Sequence, residues 1–103
     1  MILDDFRTAM KIYEEMLGEG HDLPDLLNIV DKKLAEISNH IAVCHRVIAE
    51  NRSGANSLTA LLGGTRQKQL QAAERAGATL DEIIQLQAEF FDFRYKVLKL
   101  LFK

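Results

Sequence analysis

Residues 23–48, LPDLLNIVDKKLAEISNHIAVCHRVI, decide the fold because they carry the longest regular pattern in the chain. Apolar residues recur there at alternating spacings of four and three: Leu23, Leu27, Val30, Leu34, Ile37, Ile41, Cys44 and Ile48. A heptad seam of this length predicts a helix that packs against another helix. Asp22 is placed to cap its start, and Pro24 falls in the first turn, where a missing N–H is harmless.

A shorter amphipathic helix is predicted before it, over residues 3–17. Its apolar stripe has spacings of three and four and consists of Leu3, Phe6, Met10, Tyr13 and Leu17. Gly18 and Gly20 are expected to end this helix. At about 1.5 Å per residue it is roughly 22 Å long, against roughly 39 Å for the seam, so it cannot cover the seam alone.

The second predicted helix extends to residue 50, and a connector follows at 51–65. Three glycines interrupt any regular pattern there, although a short helix over 57–62 is compatible with the sequence. A last helix is predicted over 66–102. Gly77 marks a potential break in it, and the capping-box pattern from Thr79 to Glu82 would restart a helix at that point.

The second half of the last helix is apolar on two adjacent stripes. One consists of Ile83, Leu86, Phe90, Phe93, Val97 and Leu100, and the other of Leu80, Ile84, Phe91, Leu98 and Leu101. Residues 91–97 also alternate as a strand would, but the helical pattern continues on both sides and favours a helix. Two stripes need two neighbours, or one neighbour and a partner chain.

The predicted fold is therefore all-α: an antiparallel helical hairpin or three-helix bundle, built on the long second helix and completed by self-association. All 103 residues form one domain, since six glycines and one proline leave few turns. No stretch is apolar enough for a membrane span, the N-terminus does not read as a signal peptide, and a single cysteine excludes an internal disulfide. We expect a cytoplasmic protein.

Charge is distributed unevenly between the two halves of the sequence. Residues 1–50 carry ten acids and five bases, a balance of −5, and residues 51–103 carry five acids and eight bases, a balance of +3. Attraction between the halves is a sufficient account of this pattern. The overall charge of −2 does not favour a nucleic-acid-binding role for the whole protein.

No catalytic motif, cofactor site or small-molecule site is predicted, so we expect a protein that is not an enzyme. Glu36, His40 and Cys44 are spaced four apart and form the one candidate metal site. Metal binding is only an alternative, because CxxC and HExxH are absent and Cys44 already fills a seam position. A second alternative is nucleic-acid binding by basic residues flanking the connector: Arg46, Arg52, Arg66, Lys68 and Arg75.

The favoured function is that of a helical protein–protein interaction module, such as an adaptor, chaperone or assembly subunit. The apolar content of the last helix carries this hypothesis, because it exceeds what one short chain is expected to cover. The partner is expected to be a second copy or another helical protein, not a membrane. The predicted interface consists of Ile83, Leu86, Phe90, Phe93, Val97 and Leu100, facing Ile37, Ile41, Cys44 and Ile48.

Overall fold

A computed structural model describes residues 2–55 and 65–103 of the chain. They form three α-helices: α1 (Ile2–Gly18), α2 (Leu23–Ala55) and α3 (Arg66–Leu101). No strand occurs within these described residues, and residues 91–97 are helical. The prediction of an all-α hairpin or three-helix bundle is confirmed. The short helix considered at 57–62 lies outside the described residues.

The long helices α2 and α3 pack antiparallel along their length, and α1 lies in the groove at one end of the pair. Arg94 of α3 donates to Asp31 near the start of α2 at 2.6 Å, whereas Gln69 of α3 lies beside Gly54 near the end of α2. Within the described residues, the end that holds α1, which we call the body, is therefore three helices thick, and the opposite end is formed by α2 and α3. The whole measures 62 × 20 × 15 Å along its principal axes.

The turn between α1 and α2 is specified by local chemistry. Gly20 has a φ of +79°, a left-handed conformation that glycine adopts without steric cost. The amides of Gly20 and His21 donate to Leu17 and Met16, at 3.2 and 3.0 Å, which is the Schellman arrangement for ending a helix. The Asp22 carboxylate then accepts the Asp25 amide at 3.1 Å, so the predicted N-cap of α2 is confirmed.

The core lies where all three helices meet. Phe6, Leu26, Val30, Ile37, Ile83, Phe90 and Val97 are at most 1% exposed. The Phe6 ring meets the His40 ring edge to face, with ring centroids 5.6 Å apart, and Tyr13 meets Phe90 in the same way at 6.1 Å. These contacts place α1 against both long helices, parallel to α3 and antiparallel to α2.

Tyr13 is the core residue that carries a titratable group. Burial raises the pKa of its phenol above the ordinary value of 10.0, an effect that the nearby charge of Lys33 partly offsets. Lys33 itself donates to Glu36 at 2.8 Å, and this hydrogen bond raises the pKa of its ammonium. Both protons are therefore held more tightly in the folded chain than in the unfolded one.

The two-helix arm, residues 42–55 and 66–79, has a thinner core than the body. Ala73 is its one buried residue among those described, and Cys44, Val47 and Ile48 are half-buried. Ala72, Ala73 and Ala76 of α3 are buried or half-buried in the arm, and their small side chains bury little apolar area. At the tip, Gln69 approaches so closely that a β-carbon on Gly54 would lie 2.6 Å from its amide nitrogen.

Three local predictions were wrong or incomplete. Helix α3 runs unbroken through Gly77, so the capping-box pattern at Thr79 starts no helix there. Helix α2 continues to Ala55, five residues beyond its predicted end, so the first five residues of the predicted connector are helical. At the start of α2 the fully buried residue is Leu26, whereas Leu27 of the predicted seam is half-buried at the edge of the core.

Candidate interaction surface

Most of the predicted interface on α3 is buried inside the chain itself. Ile83, Leu86, Phe90, Phe93 and Val97 are at most 4% exposed and belong to the three-helix core, whereas Leu100 is 44% exposed. Apart from Leu100, the first apolar stripe of α3 is thus covered by α1 and α2. These five side chains are not accessible to a partner as long as the bundle stays closed.

The predicted interface on α2 follows the same division between body and arm. Ile37 is fully buried in the body, and Ile41 and Cys44 are half-buried and pack against the core. Ile48 is half-buried in the arm. These α2 residues are therefore buried or half-buried within one chain, and an intermolecular role for them stays a prediction.

A different apolar row on α3 remains open to solvent. We call it the outer stripe, and its residues recur at spacings of 4, 3, 4, 3 and 4: Ile84, Ala88, Phe91, Tyr95, Leu98 and Phe102. Ile84, Phe91, Tyr95 and Phe102 are 46, 52, 61 and 81% exposed. Ala88 is exposed as well, and Leu98 is half-buried. Such spacing places the six residues in a second heptad seam on a face turned away from the core.

Sequence reasoning found part of this stripe and missed the rest. Ile84, Phe91 and Leu98 belong to the predicted second stripe, but Leu80, assigned to the same stripe, is buried at 8%. Leu101 of the predicted stripe is half-buried and lies outside the outer stripe, whereas Ala88, Tyr95 and Phe102 of the outer stripe lie outside the predicted one. The heptad spacing from Ile84 to Phe102 is the sequence signal for the outer stripe, but the more apolar first stripe dominates the same segment.

Charges along this part of α3 are segregated by sign. Asp81, Glu82, Glu89 and Asp92 lie in residues 81–92, which carry no base, whereas Arg94, Lys96, Lys99 and Lys103 lie in residues 94–103, which carry no acid. Arg94 is bound to Asp31 of α2, and Glu82 lies 3.7 Å from Arg7 of α1. The outer stripe therefore has an acidic half and a basic half.

An open groove of about 430 Å³ adjoins the basic half. Leu17 and Leu100 contribute its apolar part, and Lys96, Lys99 and Lys103 surround them. The Lys99 ammonium also lies 5.2 Å from the centre of the Tyr95 ring, within the range of a cation–π contact. Apolar surface next to lysines suits a partner surface that is apolar and acidic.

The three residues of the candidate metal site make other contacts within the chain. Glu36 accepts the hydrogen bond from Lys33, the His40 ring packs on Phe6, and Cys44 packs against the core. In the described ranges 2–55 and 65–103, no three His, Cys, Asp or Glu side chains are grouped so that they could hold a metal ion. Glu36, His40 and Cys44 are thus not brought together as a site.

The basic residues near the connector are exposed at the end of the arm, where Arg46 lies 4.0 Å from Glu50. Much of the connector lies outside the described residues, so nucleic-acid binding there stays a prediction. Within the described part, no helix has the length and apolar character needed to cross a membrane. No protein-family model matches the chain, and no curated protein or solved structure matches it significantly.

Proposed function

We propose that this protein is a non-enzymatic, cytoplasmic interaction module that binds a helical protein surface through its outer stripe. The observation that carries the proposal is the row of four large apolar side chains, 46 to 81% exposed, between Ile84 and Phe102. An adaptor, chaperone or assembly subunit would use such a surface.

The outer stripe is not needed to complete the fold. The core stripe of α3 already fills the space between α1 and α2, and Phe90 and Val97 are fully buried without any partner. Exposed apolar residues that occur singly need no explanation, as with Ile12 on α1 and Val43 on α2. An aligned row with two phenylalanines and a tyrosine supports a binding role, because such rows mark interaction sites and aromatic anchors dominate interface energies.

The spacing of the stripe defines the chemistry of its partner. A row of alternating four- and three-residue steps accepts a second helix that carries apolar residues at the same steps. Exposed acids beside its first half and lysines beside its second half would orient that helix. A helical partner fits these features better than a small molecule, which needs a concave and largely enclosed pocket.

Site-specific photo-crosslinking in cells tests the proposal. Phe91 is replaced by p-benzoyl-phenylalanine, a conservative change at an exposed aromatic position, and adducts are identified by mass spectrometry. The matched control carries the same photo-probe at Asn28, an exposed residue of α2 away from the outer stripe. We expect protein adducts from position 91 that are absent at position 28 and are lost when Tyr95→Asp is added. Equal adducts from both positions, or none from position 91, would reject the proposal.

A further inference from the structure

We propose that the partner of the outer stripe is a second copy of this chain, bound antiparallel about a two-fold axis that passes the helix at the level of Phe93. This inference rests on the proposed interaction function and names its partner. The segregation of charge along α3 carries the choice of partner and orientation, and the spacing of the apolar row is compatible with it.

The apolar row is symmetric about position 93. Ile84 and Phe102 lie nine residues on either side of that position, Ala88 and Leu98 lie five, and Phe91 and Tyr95 lie two. In an antiparallel pair centred there, each member of these three couples meets its counterpart on the other copy. A small residue then faces a larger one at the Ala88 level, and the two aromatic residues meet next to the axis. Each couple joins the two different apolar positions of the heptad, which is how the helices of an antiparallel coiled coil pair.

The charges of α3 are complementary in the same antiparallel arrangement. In an antiparallel pair centred at 93, residues 94–103 of one copy lie at the level of residues 83–92 of the other. The basic segment therefore meets the acidic segment twice, once at each end of the contact. A parallel pair would instead align acid with acid and base with base, which disfavours that orientation.

The charges that remain exposed also share one flank of the outer stripe. At about 100° per residue, Asp81, Glu89, Asp92, Lys96, Lys99 and Lys103 all project to the side of α3 that faces α1. A two-fold axis through the contact brings this flank against the same flank of the other copy. On the opposite flank, Arg94 is already bound to Asp31 of its own chain.

The size of the contact sets the expected strength. From Ile84 to Phe102 the stripe spans eighteen residue steps, or about 27 Å of helix. One helix pair of this length falls at the small end of specific interfaces, so we expect a reversible dimer with a micromolar dissociation constant. Sedimentation equilibrium over a range from about 10 µM to about 1 mM covers that regime.

Directed crosslinking tests the geometry of the dimer. Single cysteines are introduced into a Cys44→Ser background at exposed flank positions as Gln85→Cys, Asp92→Cys or Lys99→Cys, and treated with a short bis-maleimide. In the proposed pair, position 92 lies about 3 Å, measured along the helix axis, from position 92 of the other copy. Position 85 lies equally close to position 99 of the other copy. Positions 85 and 99 lie about 24 and 18 Å from their own counterparts.

The pattern of products decides between the orientations. We expect Asp92→Cys to crosslink with itself, and Gln85→Cys and Lys99→Cys to crosslink only when the two variants are mixed. Equal self-crosslinking of all three variants would indicate a parallel pair and overturn the inference. A monomer throughout the sedimentation range would also overturn it. If photo-crosslinking at position 91 then captured only a different protein, the interaction function would stand and only the choice of partner would fall.

Discussion

The three-helix body and the two-helix arm are built by the same two long helices but are stabilised very differently. In the body, α1 closes the groove between α2 and α3, and side chains such as Phe6, Ile37 and Phe90 are at most 1% exposed. In the arm only α2 and α3 contribute among residues 2–55 and 65–103, and Ala73 is the one buried residue there. The seven large side chains that are at most 1% exposed thus all lie in the part of the molecule that contains α1.

This difference shows that helix length and helix stability are separate properties in this chain. Isolated helices in water are marginal, and tertiary packing of an apolar face provides most of their stability. The arm has the smaller share of that packing, so we expect its amides to exchange with solvent through local openings that leave the body intact. Substitutions in the body should therefore lower the free energy of unfolding more than substitutions in the arm.

The largest effect is expected from Phe90→Ala in the body. Phe90 is fully buried and contacts Tyr13 of α1, so its removal leaves a cavity where the three helices meet. We expect the free energy of unfolding to fall by about 3–5 kcal/mol, measured by denaturant titration followed by circular dichroism.

The neighbouring Phe91 gives a matched control for that substitution. Its ring is 52% exposed on the outer stripe, so Phe91→Ala should change the free energy of unfolding by less than about 0.5 kcal/mol in dilute solution. Similar losses for the two variants would mean that the assignment of buried and exposed faces on α3 is wrong.

A second comparison sets Ile37 of the body against Ile48 of the arm. Ile37 is fully buried, so Ile37→Ala should lower the free energy of unfolding by about 2–5 kcal/mol. Ile48 is half-buried, and Ile48→Ala should lower it by about 1 kcal/mol. Hydrogen exchange should show the Ile48→Ala effect mainly in residues 42–55 and 66–79. An effect spread evenly over all three helices would argue against a separate arm.

Gly77→Ala should stabilise the protein, because glycine weakens the interior of a helix. A β-carbon at position 77 would meet no atom within 4 Å, so the substitution brings no clash. We expect a gain of about 0.5–1 kcal/mol, visible as a higher Tm and as slower amide exchange in the arm. Gly20→Ala is the contrasting control, since its φ of +79° should make the same change destabilising. Destabilisation by Gly77→Ala would contradict the continuous helix.

The smallest effect is expected from pH. The pKa of Tyr13 lies above 10.0 in the folded chain because the phenol is buried, so between the unfolded and folded pKa values only the folded chain keeps this proton. This contribution to stability is complete below pH 10.0 and is lost as the pH rises through the folded pKa. Tyr13→Phe should therefore reduce the loss of unfolding free energy between about pH 8 and about pH 11.

Lys33 acts in the same direction, because its hydrogen bond to Glu36 raises the ammonium pKa above 10.5. Some alkaline loss should therefore remain in Tyr13→Phe. Tyr95→Phe makes the same chemical change at a position that is 61% exposed, and it provides the matched control. The pH argument would fail if both tyrosine variants responded equally.

The sequence was sufficient to predict the helices, their order and the turn between α1 and α2. Those features depend on local signals, such as the apolar periodicity and the Asp22 cap, that act within a few residues of the chain. Gly77 shows the limit of such signals. A glycine costs a helix only about 1 kcal/mol, and the regular segments on both sides of position 77 outweigh it.

The face that each helix buries was harder to predict. Leu26 and Leu27 are adjacent and equally apolar, so only the positions of α1 and α3 determine that Leu26 is fully buried. The same applies to the two stripes of α3. Periodicity identified both as apolar, but only the packing of α1 and α2 distinguishes Phe90 in the core from Phe91 on the surface. The candidate interaction surface therefore depends on tertiary information.

The parallel and antiparallel alignment of the helices along a 62 Å axis has a consequence for nuclear spin relaxation. In an α-helix the N–H bonds lie close to the helix axis, so most amide vectors of this protein point along its long dimension. Vectors in that direction are reoriented only by the slow end-over-end tumbling of the rod. For the monomer, backbone ¹⁵N relaxation should thus report a rotational correlation time longer than that of a spherical protein of 11.6 kDa.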